Sequence, residues 1–254
     1  MERHAKHANT RLSVVSSHHR GEEVLTSDRG RTVNPHLVSL LQPDSVEAER
    51  YRRLRHVVEQ KAQSDQTNVI AITSAVAGDG KTLTSINLAA ALAQDQQASV
   101  LLVELDLRQP FTNVKDYLGI KKLYSKGLVD RVLDDKLSIE QVVYYIADFN
   151  LYVMPSGTKA SSAYDILNSP KLGKLLDEAK HRYDYVIVDT APIAFLPDSQ
   201  LISPWVDGFM IVVGAGNTPK DMLEESLNVM DPDKVLGLVF NGYSAGNEKK
   251  FGYY

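Results

Sequence analysis

Residues 75–82 of this 254-residue chain, Ala-Val-Ala-Gly-Asp-Gly-Lys-Thr, have the residue types needed to bind the phosphate groups of a nucleotide. Gly78 and Gly80 have no Cβ, so the backbone could turn tightly and bring its N–H groups close to phosphate oxygens. Lys81 could reach the β- and γ-phosphates, and the Thr82 hydroxyl could ligate Mg²⁺. The segment therefore matches a P-loop, with alanine at the position of the first consensus glycine.

The chain on either side of this loop has the strand and the helix that a P-loop requires. Residues 69–72 form an apolar run typical of a buried strand, and residues 83–93 have apolar positions at helical spacing. The helix N-terminus adds unpaired N–H donors and partial positive charge. A chance glycine-rich turn is the alternative, but the full motif in this context favours nucleotide binding. The residues expected to contact the nucleotide are Ala77, Gly78, Asp79, Gly80, Lys81, Thr82 and Leu83.

Acidic residues follow two further apolar runs. After the first run, Glu104, Asp106 and Arg108 alternate with leucines, so their side chains are expected on one side of the chain. The second run, residues 185–188, leads into Asp189, which is the arrangement of a Walker B aspartate. Ligands of open parallel sheets bind at the carboxyl ends of the strands, where carboxylates can hold Mg²⁺ or accept a proton. An acidic turn without a metal is the alternative for the first segment.

Strand patterns alternate with helical patterns along the chain, and this order predicts an α/β fold. We expect a doubly wound, mostly parallel sheet of the P-loop NTPase type with helices on both faces. The chain is expected to divide into a flexible N-terminal arm over residues 1–42, a P-loop domain over residues 43–242 and a C-terminal tail over residues 243–254. The arm is polar and lacks sustained periodicity, so it is expected to be either mobile or docked on the domain.

Composition narrows the kinds of function. A formal net charge of −4 gives no overall attraction to nucleic acid or to an anionic membrane surface. The absence of cysteine excludes disulfides and thiolate metal sites and suits a reducing cytoplasm. No apolar run is long enough to span a bilayer, and the N-terminus lacks the apolar segment of a secretory signal. We therefore expect a cytoplasmic protein without a nucleic-acid partner.

A charged stripe lies on the helix predicted before the P-loop. Asp44 is expected to cap this helix, and apolar residues recur at helical spacing over residues 45–62. Glu49, Arg52 and Arg55 fall three residues apart and so share one drifting face. Spacing alone favours the alternative, a solvated helix surface with salt bridges.

Two features near the C-terminus also have chemical potential. Asn241 follows the last predicted strand, where its amide could read the edge of a base or could belong to an ordinary Asn-Gly turn. The tail carries Tyr243, Tyr253 and Tyr254, for which a frayed terminus is the alternative.

The order of these features resembles that of the bacterial tyrosine kinases (BY-kinases), the cytoplasmic autokinases of capsule and exopolysaccharide systems. The resemblance covers roughly residues 40–254 and includes the charged stripe, the P-loop, the acidic segment, the Walker B aspartate and the tyrosine tail. It implies an ATP-dependent protein-tyrosine kinase that phosphorylates the C-terminal tyrosines of a neighbouring subunit and regulates polysaccharide polymerisation and export. ATP and Mg²⁺ are the implied cofactors.

The resemblance also implies roles for individual residues. Catalysis falls to Lys81, Asp106, Glu104 and Arg108, with Asp106 or Glu104 as the base, and Mg²⁺ binding falls to Thr82, Asp106 and Asp189. Asn241 corresponds to an adenine-contacting residue, Tyr253, Tyr254 and Tyr243 to phosphoacceptors, and Glu49, Arg52 and Arg55 to a motif for ring-like self-association. The family usually has aspartate where this chain has Glu104, and the tyrosine tail is short.

A membrane partner follows from the same resemblance. In the family a membrane co-polymerase domain is either fused upstream or is a separate chain that activates the kinase, and here we expect a separate chain. The protein would then associate with the membrane peripherally, through that partner.

Two other functions remain open for this sequence. Partition and division-site ATPases share the expected fold, but they usually carry a second lysine early in the P-loop, where this chain has Ala75-Val76-Ala77. A nucleotide-gated adaptor without phosphate transfer is the other alternative, because Glu104 departs from the family pattern.

Overall fold

The computed structural model describes residues 22–25, 33–65, 68–108, 114–120, 126–194 and 196–243. Eight strands form one sheet: β1 (Glu23–Leu25), β2 (Val69–Ser74), β3 (Val100–Glu104), β4 (Tyr144–Ile146), β5 (Leu151–Met154), β6 (Tyr185–Asp189), β7 (Gly208–Gly214) and β8 (Val235–Asn241). Their order is β1-β4-β5-β3-β6-β2-β7-β8, and every neighbouring pair is parallel except β4 and β5. The prediction of a mostly parallel, doubly wound sheet is confirmed.

Helices connect these strands. The α-helices are α1 (Val38–Leu41), α2 (Val46–Asp65), α3 (Lys81–Leu92), α4 (Val114–Tyr117), α5 (Leu128–Leu133), α6 (Ala163–Leu167), α7 (Pro170–Arg182), α8 (Asp198–Ile202) and α9 (Lys220–Asn228). Short 3-10 turns lie at Ile139–Gln141, Ala147–Phe149, Ser203–Trp205 and Pro232–Lys234. Over the described part of the chain, no helix combines the length and the apolar character that crossing a membrane requires.

The helices cover both faces of the sheet, as predicted. On one face, Leu172 of α7 and Leu128 of α5 are fully buried against the strands. On the other face, Ile86 and Leu92 of α3 pack with Val58 of α2. Strands covered on both faces must be apolar throughout, and this explains why every residue of β2, β3 and β7 is buried. The core therefore fixes the carboxyl ends of these strands, which is where the site residues lie.

Part of the segment predicted as a flexible arm is packed on the domain. Residues 22–25 include β1, which pairs in parallel with β4 at the edge of the sheet. The Tyr183 hydroxyl donates a hydrogen bond of 3.1 Å to Glu22 Oε1, and Leu37 is completely buried. Residues 22–25 and 33–42 are therefore docked on the domain, which is one of the two arrangements expected for the arm, because they supply apolar and hydrogen-bonding contacts to it. The rest of the predicted arm lies outside the described residues.

A single side chain of α3 connects this N-terminal segment to the P-loop helix. Asn87 is fully buried, and its Oδ1 accepts a hydrogen bond of 2.9 Å from the Ser39 amide. Its Nδ2 donates to the carbonyl oxygens of His36 and Leu83, both at 3.0 Å. The helix that begins at Lys81 is thus hydrogen-bonded to a chain segment about fifty residues upstream.

Local boundaries differ from the predictions at two helices. Apolar residues recur at helical spacing over residues 162–182, which predicts one helix. The structure has two helices there, because Pro170 starts a new helix with Ser169 as its N-cap. The helix before the P-loop begins at Val46, and its cap is the Ser45 hydroxyl, which accepts a hydrogen bond of 3.1 Å from the Ala48 amide. The predicted cap, Asp44, lies one residue too early.

Candidate active site

The predicted P-loop connects β2 to α3 at the carboxyl edge of the sheet. Gly78 and Gly80 have φ angles of 88° and 91°, a conformation that residues with a Cβ rarely adopt. A Cβ on Gly80 would also collide with the amide of Asn241. The first N–H groups of α3, which begins at Lys81, have no partners within the helix. The loop thus has the backbone conformation and the free helix end that phosphate binding requires.

Asp79 fixes the P-loop to two other segments, and its side chain is almost completely buried. Its Oδ1 accepts hydrogen bonds from Asn217 Nδ2 and Thr218 Oγ1, both at 2.8 Å. Its main-chain oxygen accepts a third bond of 2.8 Å, from Asn241 Nδ2. Sequence reasoning missed Asn217 and Thr218. Their position just after the carboxyl end of a predicted strand is the signal that could have found them.

Asn241 therefore supports the P-loop in this structure. One N–H of its amide is used by Asp79, and the side chain retains a second N–H and an acceptor oxygen. These two groups have the donor and acceptor character needed to contact a base. The contact with adenine stays a prediction.

Charged side chains from three separate motifs come together beside the P-loop. Lys81 Nζ lies 2.8 Å from Asp106 Oδ2, and each of these side chains is only 6% exposed. Asp189, at the end of β6, is close enough to both for their charges to affect its pKa. The hydroxyl of Thr82 is near enough to Asp189 to lower its pKa, and Ser85 Oγ donates a hydrogen bond of 3.0 Å to Asp189 Oδ1. Four of the predicted site residues are thus neighbours: Lys81, Thr82, Asp106 and Asp189.

Burial raises the pKa of Asp189 to about 7. Removal of the carboxylate from water is the main cause, and the negative charge of Asp106 acts in the same direction. The positive charge of Lys81 and the hydroxyls of Thr82 and Ser85 oppose this rise in the pKa. The protein alone therefore leaves Asp189 only partly ionised near neutral pH, and a cation beside it would favour the charged form.

The donor set fits Mg²⁺. The Asp106 and Asp189 carboxylates and the Thr82 hydroxyl supply hard oxygen atoms, and Asp106 Oδ2 accepts no hydrogen bond of good geometry apart from its ion pair with Lys81. Within the described ranges, no group of three or more His, Cys, Asp or Glu side chains could hold a metal by itself. Mg²⁺ is usually bound by one or two carboxylates together with substrate phosphates, which matches this sparse set.

Glu104, the other predicted base, is used differently. Its Oε1 accepts a hydrogen bond of 2.8 Å from the Val114 amide at the start of α4. Its Oε2 accepts bonds of 3.0 Å from both the amide and the hydroxyl of Ser156, which follows β5. Alternation along the strand predicted that Glu104 and Asp106 would face the site together. The structure instead directs the Glu104 carboxylate to Val114 and Ser156, because three donors converge on it there.

Arg108 is held by a carboxylate that sequence reasoning missed. Its Nε and Nη2 donate to Asp198 Oδ2 and Oδ1 at 2.8 and 2.7 Å, and its amide donates to Asp106 Oδ1 at 3.3 Å. These hydrogen bonds to the buried Asp198 side chain raise the pKa of Arg108. The pair joins the acidic loop after β3 to the first residue of α8. No sequence motif marks Asp198. Its position beside Arg108 depends on the path of the chain between Asp189 and α8.

The charged stripe of α2 divides into two parts. Arg52 Nε is 2.8 Å from Glu49 Oε2, and both side chains are exposed. Arg55 instead contacts Glu59 Oε1 at 2.6 Å and donates 3.0 Å to the Ala91 carbonyl in the last turn of α3. Glu49 and Arg52 are thus accessible at the surface, whereas Arg55 is bound within the chain. Self-association through these residues stays a prediction.

The predicted tyrosine acceptors are only partly within the described residues. Tyr243 follows β8, and its carbonyl oxygen accepts a hydrogen bond of 3.4 Å from Arg50 of α2. Its ring lies 6.1 Å from that of Phe240. Tyr253 and Tyr254 lie outside the described residues. Tyr243 thus lies beside α2, two residues after Asn241, whose side chain contacts the P-loop.

Comparisons with known proteins give a family model and several relatives that match most of this chain. A family model described as an AAA domain matches residues 67–203. The chain is 32% identical to the tyrosine-protein kinase YwqD of Bacillus subtilis (strain 168), over 91% of this chain and 95% of that protein. It is 28% identical to the succinoglycan biosynthesis transport protein ExoP of Rhizobium meliloti (strain 1021), over 78% of this chain. That match spans only 25% of ExoP.

Solved structures agree with these sequence matches. The crystal structure of the chimerical protein CapA2B2 is similar with a TM-score of 0.72 at 26% identity, covering 83% of this chain and 92% of that one. The MinC:MinD cell division protein complex of Aquifex aeolicus is similar with a TM-score of 0.60 at 22% identity, covering 72% of each chain. This second likeness concerns the fold alone.

Proposed function

The chain belongs to the bacterial tyrosine kinase family, and we propose that it is an ATP-dependent tyrosine autokinase that phosphorylates the tail of a neighbouring copy. The observation that carries this proposal is the buried cluster of Lys81, Asp106 and Asp189 beside the P-loop. A lysine and two carboxylates at that place suit the transfer of a phosphoryl group, in which positioning and charge neutralisation do most of the work.

Lys81 would have two partners in turn. Without nucleotide, its ammonium group is paired with Asp106 at 2.8 Å. The triphosphate would attract the same ammonium group toward the β/γ oxygens, while the loop amides and the helix end bind the phosphates from the other side. Mg²⁺ held at Thr82, Asp106 and Asp189 would neutralise part of the phosphate charge. Movement of Lys81 would therefore release one oxygen of Asp106 as the nucleotide binds.

Asp106 is the proposed acceptor for the tyrosine proton. A tyrosine hydroxyl has an unperturbed pKa of about 10, so it needs a carboxylate within hydrogen-bonding reach to lose its proton at neutral pH. Of the two carboxylates predicted for this role, Glu104 has both oxygens occupied by Val114 and Ser156. Asp106 has one oxygen paired only with Lys81. This difference supports Asp106 as the base.

The proposed acceptors are Tyr253, Tyr254 and Tyr243. The tail begins beside α2, the helix whose Glu49 and Arg52 side chains are exposed. An assembly through these two side chains would bring the start of one tail to the surface of the next copy. Because the tail is short, we propose that it enters the neighbour's site and that the copies form a ring-like oligomer.

A membrane partner is also part of the proposal. ExoP is named as a transport protein of succinoglycan biosynthesis, and this chain matches a quarter of its length. That relation supports a role in which this chain acts together with a membrane polysaccharide co-polymerase, and we propose that this partner is a separate chain that holds the cytoplasmic kinase at the membrane. Phosphorylation of the tail would then regulate polymerisation and export of the polysaccharide.

The deciding experiment is to map phosphotyrosine after incubation with ATP and Mg²⁺. We expect phosphate on Tyr253 or Tyr254 in the wild type and none in Lys81→Met, because the lysine neutralises the transferring phosphoryl group. A mixture of Lys81→Met with a tail variant, in which both terminal tyrosines are phenylalanine, tests transfer between copies. Label on the Lys81→Met chain in that mixture supports transfer to a neighbour, and its absence contradicts it.

The two alternatives give different outcomes in the same experiment. Release of phosphate with no protein label would indicate a switch ATPase of the partition or division-site type. Nucleotide binding with neither release nor label would indicate an adaptor. Normal phosphotyrosine in Lys81→Met would overturn the proposed function altogether.

A further inference from the structure

Glu104 holds the start of the loop after β3 that carries Asp106. Glu104 is the last residue of β3 and Val114 is the first residue of α4, so the hydrogen bond of 2.8 Å between them joins the end of the strand to the start of the helix. The second oxygen of Glu104 connects the start of this loop to Ser156, through two bonds of 3.0 Å. Glu104 is only 6% exposed. One side chain therefore holds three separate parts of the chain together next to the site.

This arrangement suits a structural acceptor better than a base. An ionised carboxylate only accepts hydrogen bonds, and Glu104 already accepts three, from the amides of Val114 and Ser156 and from the Ser156 hydroxyl. A proton arriving on either oxygen would compete with one of these donors. The position of Asp106, by contrast, depends on where this loop is held. Arg108, in the same loop, is held from the other side by Asp198.

We propose that Glu104 is a positioning residue that places Asp106 opposite Lys81, and that it does not receive the tyrosine proton. The kinetic part of this proposal rests on the proposed kinase function. The geometric part does not, because it concerns only which groups the Glu104 carboxylate holds. The two parts can therefore be tested separately.

The length of the Glu104 side chain is the specific requirement. Aspartate is shorter by one carbon–carbon bond, about 1.5 Å. With donors at 2.8 and 3.0 Å on opposite oxygens, a side chain withdrawn by that distance would lose the contact with Val114 or with Ser156. Replacement of Glu104 by aspartate, the usual family residue, should therefore harm this protein. A base shortened in this way would also lose activity, so Glu104→Gln, which removes the basic carboxylate but keeps the side-chain length, separates the two roles.

The kinetic test compares Glu104→Asp with Glu104→Gln. We expect Glu104→Asp to lower kcat about tenfold to a hundredfold with little change in the KM for ATP, because displacement of a catalytic group by about 1 Å has an effect of this size. Glu104→Gln keeps the side-chain length and one acceptor oxygen. Its kcat should therefore fall less than that of Glu104→Asp, and its pH profile should stay that of the wild type. Near-normal activity of Glu104→Asp would overturn the proposal, and so would loss of activity together with the acidic limb of the profile in Glu104→Gln.

A double-mutant cycle tests whether Glu104 acts through Ser156. Ser156→Ala removes one of the three donors and should reduce kcat about threefold. In the Glu104→Gln background the same change should have little further effect, because the two residues share one interaction. The exposed Ser161 provides the matched control, and Ser161→Ala should leave kcat unchanged in both backgrounds. Independent, multiplicative losses from Ser156→Ala and Glu104→Gln would contradict the proposal.

Amide hydrogen exchange gives a readout that needs no activity. In Glu104→Asp at least one of the Val114 and Ser156 amides should exchange at least about tenfold faster, while the amides of β6 keep their rates. If the wild type forms no phosphotyrosine but either of these amides responds, the proposed function fails and the positioning role stands. If phosphotyrosine forms and exchange at both amides is unchanged, the positioning role fails alone.

Discussion

The phosphate-binding side of the site and its acidic side are built on different principles. On the phosphate side, the backbone of the P-loop provides the function, and Asp79 fixes that backbone to Asn217, Thr218 and Asn241. On the acidic side, side chains provide the function, and the loop after β3 is held by Glu104 and by the Arg108–Asp198 pair. The conformation of the first side follows from local sequence and is anchored by distant residues, whereas on the second side distant residues also place the reactive groups.

The comparison implies that the two sides respond to different substitutions. A backbone site should fail when a Cβ is added, because the conformation itself binds the ligand. A side-chain site should fail when a tether is cut, because the reactive group then moves. Substitutions on the two sides of the site therefore test whether backbone conformation or side-chain placement provides the function.

The largest effect should come from Gly80→Ala. Alanine would have to adopt φ 91°, and its methyl group would collide with the Asn241 amide. We therefore expect nucleotide affinity to fall by about a hundredfold and the free energy of unfolding to fall by roughly 3 kcal/mol. Gly216→Ala is the matched control, because its φ of 73° is similarly strained but no atom lies within 4 Å of the new Cβ. Titration with a fluorescent nucleotide measures the difference. Equal affinities for the two variants would refute the backbone account.

On the acidic side, Asp198→Asn should destabilise the protein by about 2 kcal/mol. The change removes the charge from a buried carboxylate that binds Arg108 through two hydrogen bonds, and bonds to charged groups contribute about 1.5–3 kcal/mol. The free energy of unfolding in urea measures this effect. Arg52→Ala, at the exposed Glu49–Arg52 pair, is the control and should cost less than about 1 kcal/mol. A cost for Asp198→Asn no larger than that of Arg52→Ala would show that the pair does not hold the loop.

The pH dependence of Mg²⁺ binding should reflect Asp189. Because burial raises its pKa to about 7, the side chain carries a proton below that pH, and Mg²⁺ must displace it. Affinity for Mg²⁺ should therefore rise about tenfold per pH unit up to pH 7 and then level off. Calorimetric titration between pH 5.5 and 8.5 measures the slope, and Asp189→Asn should remove it. A flat profile in the wild type would contradict a protonated Asp189.

The smallest effect should come from Asn241→Ala, which removes one hydrogen bond to the P-loop, with an expected loss of about fivefold in nucleotide affinity. The ratio of ATP to GTP affinity distinguishes the two roles of this residue. If Asn241 only supports the loop, both affinities fall together. If it also contacts the base, the ratio changes.

Sequence reasoning succeeded best where function and local conformation coincide. The two glycines, Lys81 and the apolar strand before them predict the strand, the tight loop and the helix of the P-loop, because each residue type has one physical reason to be there. The helix–strand alternation likewise predicts the parallel sheet. Asp189 was found for the same reason, since it ends a buried strand.

The sequence-based predictions failed for residues whose role depends on their hydrogen-bonding partners. Alternation puts Glu104 and Asp106 on one side of the chain but says nothing of the donors from Val114 and Ser156 that bind Glu104. Asp198 has no periodic or motif signal, because its contact with Arg108 spans ninety residues. The short strands β1 and β4 were missed because three residues are too few to show a pattern.

Asn87 has a consequence for reading mutational data on this protein. Its side chain is not among the residues expected to contact the nucleotide. It nevertheless bonds to Leu83 in the first turn of α3 and to the upstream segment at Ser39. A screen that records only loss of activity would rank Asn87 with the P-loop residues. Deletion of the upstream segment would give the same result, and both would be mistaken for damage to the chemistry. Measurement of folding alongside activity separates the two.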